Sequence, residues 1–369
     1  MRIRSMTPFW VSLRLHEPFK MSNVTVTRAE NLLVRVEDTD GTVGWGEACS
    51  APNMTGDFPE GLVAAAQFMR SAVEGMEIED VAGFAKRIDG LIYGNNGAKS
   101  AIDMAIHDLA GRRAGVPMAE LLGGIVRKEM PLLFILAAGD KTADLAMARK
   151  KADEGFVAFK VKVGTANVEA DLERCAAVRH LLGKGVRISA DSNQGYSLEQ
   201  ALRFAASAEA VGLDFIEQPI DGHDVEGMAE VAAATPVAIG ADEGIHSFDD
   251  IERHHSLRAA RGASLKTIKL GGVSPVMTAG RRMQELGMSV NLAGKVAESS
   301  VAGGAIVQLG AALPQINWDV SVTCQYLAED VAVDPIRFDH GHVRLRERPG
   351  LGIEVDEAKL SRSSVKLAA

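Results

Sequence analysis

The chain has 369 residues, 47% of them apolar and 24% charged, with a formal net charge of −9. That length accommodates about two domains around a large core. The acidic balance and the lack of any basic stripe exclude nucleic acid or an anionic membrane surface as the main partner. Cys49, Cys175 and Cys324 are odd in number and lack metal-ligand spacing, which predicts buried thiols, no disulfide framework and a reducing cytoplasm. Arg2 and Arg4 precede an apolar patch broken by Ser12 and Arg14, a poor signal peptide. The longest apolar run, Val301 to Pro314, contains Gln308 and falls short of a membrane span.

The first elements read as strands: Phe9–Leu13, then Asn31–Val36, then Val43–Glu47 after the turn Asp38-Thr39-Asp40-Gly41, an antiparallel meander. Loops are expected at 16–24 and 50–58. From Gly61 the period becomes helical, over Leu62–Met69, Val81–Leu91 and Ala98–Ala114. On the last of these His107 reads as a satisfied structural histidine. Residues 1–125 are thus expected to form an α+β domain.

The following text repeats one unit. Strand-like runs fall at Leu132–Ala137, Ala158–Val163, Arg187–Ala190, Asp214–Glu217, Val237–Gly240, Ser264–Ile268, Met288–Leu292 and Ile316–Val320, with amphipathic helical text between them. Eight such strands suit a parallel barrel or a doubly wound sheet. No Gly-x-Gly-x-x-Gly follows any of them. Lys162, Asp191, Glu217, Asp242 and Lys266 end successive strands at intervals of 29, 26, 25 and 24 residues. Only a barrel brings all those ends to one mouth. The expected architecture is therefore an α/β TIM-like barrel over 126–325, with 326–369 packing back on the first domain. The tail holds a strand-like Phe338–Leu345 with a turn at Gly341.

The polar strand ends specify a chemistry. Lys160 and Lys162 share a strand face, and their mutual repulsion, roughly 2 kcal/mol at an effective dielectric of about 20, is expected to move one ammonium toward neutral pH. Asp191, Glu217 and Asp242 are three carboxylates from adjacent strands, which need a cation to coexist buried. Oxygen-only ligation favours Mg²⁺, with Mn²⁺ as a substitute. Asn193 adds a polar group two residues past Asp191, and Glu243 is expected to point away from Asp242. Lys162 and Lys266 would flank the metal and act as general acid or base at a carbon α to a carboxylate.

These residues resemble the enolase superfamily, specifically its muconate-lactonizing-enzyme subgroup. The resemblance runs through Gly44-Trp45-Gly46-Glu47, Ala98–Met104, Leu121-Leu122-Gly123-Gly124, Lys160-Val161-Lys162, the three acids, and Lys266 ahead of Gly271-Gly272. It implies a (β/α)7β barrel, Lys162 and Lys266 as catalytic residues, and Asp191, Glu217 and Asp242 as Mg²⁺ ligands. Lys160, Asn193, Glu243 and Glu298 would support them. The capping loops, with Phe19 and Met21, would contact a small carboxylate substrate, and the subgroup suggests a homo-oligomer.

Departures narrow the reaction. Mandelate-racemase-like members use a histidine on strand seven, where this chain reads Asn291-Leu292-Ala293-Gly294-Lys295. Dipeptide-epimerase-like members carry Asp-x-Asp on the last strand, where this chain has Asn317-Trp318-Asp319. Trp318 and Asp319 are then candidate substrate contacts with one acid fewer for an amino group. Val296–Ser300 resembles the Glu-Ser segment of strand seven. Lys295 beside it either pairs with Glu298 or reaches a second carboxylate on the substrate. The leading expectation is a muconate-type cycloisomerase. The alternatives are a racemase or epimerase of N-acyl amino acids or dipeptides, an acid dehydratase, and a non-catalytic metal- or ligand-binding barrel.

Overall fold

The computed structural model of the protein describes residues 1–20, 25–81 and 83–366, the Lys20 side chain apart. Three strands, β1 (Ile3–Lys20), β2 (Thr25–Asp38) and β3 (Val43–Cys49), form an antiparallel sheet in the order β1-β2-β3. The first strand is longer than its alternation predicts. His16–Lys20, expected as a loop, continues the pairing with β2 through Phe19↔Val26 after a register shift between Arg14 and Phe19. Pro18 lies inside that irregularity, where a missing N–H costs no ladder bond. The Met21 position lies outside the described residues.

Three helices cover this sheet: α1 (Pro59–Val73), α2 (Phe84–Asp89) and α3 (Asn96–Ala114). The third is buried on nearly every face. Small residues make that possible, because a Cβ on Gly44 or Gly46 of β3 would strike the α3 backbone at Ala105 and Ala101. The Gly-x-Gly of β3 is therefore a packing groove for a helix.

Eight parallel strands follow: β5 (Leu133–Leu136), β6 (Ala158–Lys162), β7 (Arg187–Asp191), β8 (Phe215–Glu217), β9 (Ala238–Ala241), β10 (Gly262–Leu265), β11 (Ser289–Ala293) and β12 (Val320–Ser321). They are hydrogen-bonded in sequence order, and Leu132 bridges Val320 in parallel, closing the ring. Helical crossovers join each pair, giving (β/α)7β. Side-chain caps start most of them, such as Asp140, Asn167, Ser197, Asp224 and Ser247, each satisfying an otherwise orphaned N–H. Two strand assignments shift. The sixth ends at Leu265, and Lys266 caps a one-turn helix, Thr267–Leu270. The eighth starts at Val320, because Asp319 takes a left-handed conformation at φ 67° and interrupts the extended run.

The C-terminal segment returns to both units. A short strand β13 (His342–Arg344) pairs with β4 (Glu129–Pro131) ahead of the barrel. Leu351 N donates to Asp108 of α3 at 2.7 Å, and Ser364 bridges Val11 of β1. Buried acids of the capping unit reach barrel helices in the same way. Glu47 accepts from Ser299 N, Ser299 Oγ and Ala302 N at the start of the helix Ser300–Ala312. Asp103 accepts from Val273 N at 2.7 Å at the start of Val273–Glu285. A carboxylate at a helix N-terminus satisfies free N–H groups and meets the positive end of the dipole. His107 is engaged there too, its Nε2 2.9 Å from Ser274 Oγ and its Nδ1 2.8 Å from the Asp103 carbonyl, consistent with a structural role.

Candidate active site

The carboxyl ends of the barrel strands enclose a cavity of about 40 Å³ lined by Lys160, Lys162, Asp191, Asn193, Glu217, Asp242, Lys266 and Lys295. Met54, Ile135, Ala293, Gly294, Val296 and Ser321 complete its wall. Met54 comes from the capping loop at 50–58, so that loop reaches the barrel mouth. A larger cavity of about 860 Å³ lies elsewhere, between β1, β2 and the C-terminal segment, and none of the strand-end lysines or acids lines it.

Strand register sets the site. Lys162, Asp191 and Glu217 are paired neighbours on β6, β7 and β8, and Asp242 follows β9 directly. Each acid is met by a lysine: Lys160 pairs with Glu217, Lys162 with Asp191 at 2.6 Å, and Lys266 with Asp242. Lys162 also donates to Asn193 Oδ1 at 2.6 Å, and Asn193 Nδ2 donates to Glu243 Oε1 at 3.0 Å. Glu243, expected to point away, is thus tied to the site through Asn193, though it does not itself line the cavity. The strict alternation of a strand does not apply beyond Ala241, where Asp242–Gly244 form a turn whose N–H groups at Asp242 and Gly244 are held by Gln218 Oε1 at 2.8 and 3.1 Å.

The electrostatics follow from this pairing. Burial works against the Lys160 ammonium, but Glu217 and Asp191 outweigh it and hold its pKa above the usual lysine value. The same balance of burial against Asp242, Glu217 and Glu243 raises Lys266. The repulsive Lys160–Lys162 pair read from the sequence is thus divided between two carboxylates, Glu217 and Asp191. Asp242 is held well below the carboxylate range, with burial opposed by Lys266 and Lys269. Burial, followed by Asp242 and Asp191, pushes Glu243 up to about 7. Burial, followed by Glu47, takes Glu298 to about 8.

Lys269 was not singled out from the sequence. It is completely buried, donating to Asp242 Oδ1 at 2.7 Å, Asp242 O at 2.5 Å and Ser264 O at 2.9 Å. The available signal was its spacing three residues after Lys266, which a one-turn helix converts into two ammonium groups on one aspartate.

Other candidates fall outside the cavity. Trp318 stacks on Phe215, the first residue of β8, with ring centroids 4.2 Å apart. Its indole fills space left by Gly240 and by Gly262, the first residue of β10. Asp319 pairs with Arg187, the first residue of β7, at 2.5 Å. Both residues thus plug the amino-terminal end of the barrel and cannot contact a substrate at the mouth. The strand-eight residue that lines the cavity is Ser321. Phe19 is buried edge-on against Tyr326 at 5.1 Å and is not among the cavity-lining residues. Glu298 lies behind Gly294 beside Thr323.

As placed, no three His, Cys, Asp or Glu side chains among the described residues converge as a metal site. Each of the three acids is bonded to a lysine. The donor set nevertheless suits a hard dication: three acids on adjacent strand ends, oxygen atoms only, facing one cavity.

Residues 143–359 match the family described as enolase C-terminal domain-like, and residues 4–123 match the mandelate racemase / muconate lactonizing enzyme N-terminal domain. Similar proteins include the N-succinyl-L-Arg/Lys racemase of Bacillus cereus, 29% identical over 99% of this chain and 98% of its own. The L-Ala-D/L-Glu epimerase of Clostridium acetobutylicum is 31% identical over 93% and 96%, and muconate cycloisomerase 1 of Pseudomonas putida 30% over 94% of each. Among solved structures, muconate lactonizing enzyme from Pseudomonas fluorescens complexed with muconolactone superposes with a TM-score of 0.95 at 29% identity over 99% of each chain. A dipeptide epimerase from Cytophaga hutchinsonii, complexed with Mg and D-Ala-L-Val, does so at 0.92 and 26% over 98% of each. The chain belongs to the mandelate racemase / muconate lactonizing enzyme family, in the muconate-lactonizing subgroup of the enolase superfamily.

Proposed function

We propose, with that membership as premise, that the protein is an isomerase that moves a proton at the carbon α to a substrate carboxylate, with Lys162 and Lys266 as the acid/base pair. The observation that carries this is their placement: they come from β6 and the end of β10 and stand on either side of Asp191, Glu217 and Asp242, each bonded to the nearer outer acid. A lysine on each side of the carboxylate-binding centre can take a proton from one face of an α-carbon and return one to the other. Asp191, Glu217 and Asp242 are the residues to hold Mg²⁺, the ion in the Cytophaga hutchinsonii complex. The bound ion would supply positive charge for the carboxylate and for the enolate formed when the proton leaves.

Within this class, the first reading is cycloisomerisation of a muconate-type diacid, in line with the muconate cycloisomerases among the relatives. It uses one lysine. The second is racemisation or epimerisation of an N-acyl amino acid, favoured by the two-sided lysine pair. A dipeptide with a free ammonium fits less well, since Asp319 is held by Arg187 at the far end of the barrel. The protein should be incubated with Mg²⁺ and candidate carboxylates in D₂O. α-Deuteration abolished in both Lys162→Ala and Lys266→Ala supports racemisation. Turnover that needs Lys162 and survives Lys266→Ala supports cycloisomerisation. Activity retained in both variants would remove the lysine assignment.

A further inference from the structure

Among the described residues five lysines are buried outright: Lys99, Lys160, Lys266, Lys269 and Lys295. Four of them have a carboxylate within ion-pair distance, on Asp89, Glu217 and Asp242. Lys295 has none among the described residues, and its ammonium makes no hydrogen bond to them. Its main chain is fixed, since its carbonyl accepts from Glu298 N at 3.1 Å and Thr323 Oγ1 at 2.7 Å. The neighbouring Glu298 does not compensate it. No ion pair forms between them, and Glu298, pushed up to about 8, is protonated at neutral pH. An unpartnered ammonium in a buried setting is costly unless something completes it.

Lys295 lines the same cavity as Lys162 and Lys266 and is followed by Val296 in the wall. The other two lysines are already matched to acids of the site. Burial lowers the pKa of Lys295 from the usual lysine value, and it faces the space a ligand must fill with no acid of the described residues to pair it. We propose that Lys295 binds a second carboxylate of the substrate, distinct from the one at the Asp191/Glu217/Asp242 centre, and so selects dianionic over monoanionic substrates. This rests on the site being a carboxylate site. The cavity wall offers a backbone for such a molecule, because Met54, Ile135, Ala293 and Val296 supply apolar surface. Both a diacid and an amino acid acylated with a dicarboxylic acid meet the requirement, so the inference holds for either reading of the reaction.

The test is binding by calorimetry to the Mg²⁺-loaded protein, using succinate, glutarate and adipate, each against its monoamide. The wild type should favour at least one diacid over its monoamide by roughly tenfold or more. Lys295→Met should erase that preference and leave monoamide affinity unchanged, while Lys295→Arg should keep part of it. Lys295→Met should also raise the urea midpoint, because it removes an unpaired buried charge. Equal binding of diacid and monoamide by the wild type, or a preference that survives in Lys295→Met, overturns the proposal. A lowered urea midpoint does so too, since it would mean a structural partner. Failure of every acid and monoamide to bind would instead remove the underlying carboxylate-site reading, and the role of Lys295 with it.

Discussion

Replacing Lys269 with methionine tests how the site holds Asp242, whose carboxyl lies well below the usual carboxylate range. Lys269 is wholly buried and donates to Asp242 Oδ1, Asp242 O and Ser264 O at 2.7, 2.5 and 2.9 Å. Methionine is close in length, so the cavity term is small and the loss is electrostatic. Asp242 keeps only Lys266, and its carbonyl keeps the bond from Ile245 N at 3.0 Å. Truncating one side of a buried ion pair costs about 3–5 kcal/mol. The surviving Lys266 bond places the expectation toward the lower end, about 3 kcal/mol. Equilibrium urea unfolding followed by circular dichroism measures it, with exposed Lys184→Met as a control expected within about 0.5 kcal/mol of wild type. A loss below about 1 kcal/mol for Lys269→Met would refute the claim that this lysine secures Asp242.

Asp191→Asn or Glu217→Gln should weaken Mg²⁺ binding by roughly a hundredfold or more, read by calorimetry without reference to turnover; unchanged affinity would place the ion elsewhere. Trp318→Ala should cost about 3–5 kcal/mol in urea unfolding because the indole fills the barrel base against Phe215. Its affinity for carboxylate ligands should hold, and a selective loss of affinity at full stability would return Trp318 to the substrate site. For Glu298 the folded pKa of about 8 lies above the unfolded value of about 4.3. The native state then binds the extra proton, so this group's stabilisation is present at low pH and is lost as pH rises toward 8. Thermal melting at fixed Mg²⁺ should show Glu298→Gln losing less stability than wild type between about pH 5 and pH 8, and equal losses would contradict the buried, protonated state.

The lysine and acid positions were legible because a parallel barrel converts a one-dimensional spacing into a ring. Residues about 25 apart, each at the end of an apolar run, have only one place to meet. Lys162, Asp191, Glu217, Asp242 and Lys266 line one cavity for that reason. The errors arose where periodicity stopped applying. Trp318 and Asp319 precede the last strand by one or two residues, and the apolar text of Ile316–Val320 gave no hint that Asp319 would turn left-handed and delay the strand to Val320. A shift of that size moves a side chain from the mouth of a barrel to its base. It also bears on specificity, because the acid that a substrate ammonium would seek is held by Arg187 at the base. Lys295 was the reverse case. Its position near the mouth was readable, but the choice between Glu298 and a ligand was not, since that depends on a protonation state set by burial and by Glu47 from another domain. Burial comes first in raising Glu298, Glu47 of the N-terminal sheet adds to it, and no ion pair forms between Glu298 and Lys295.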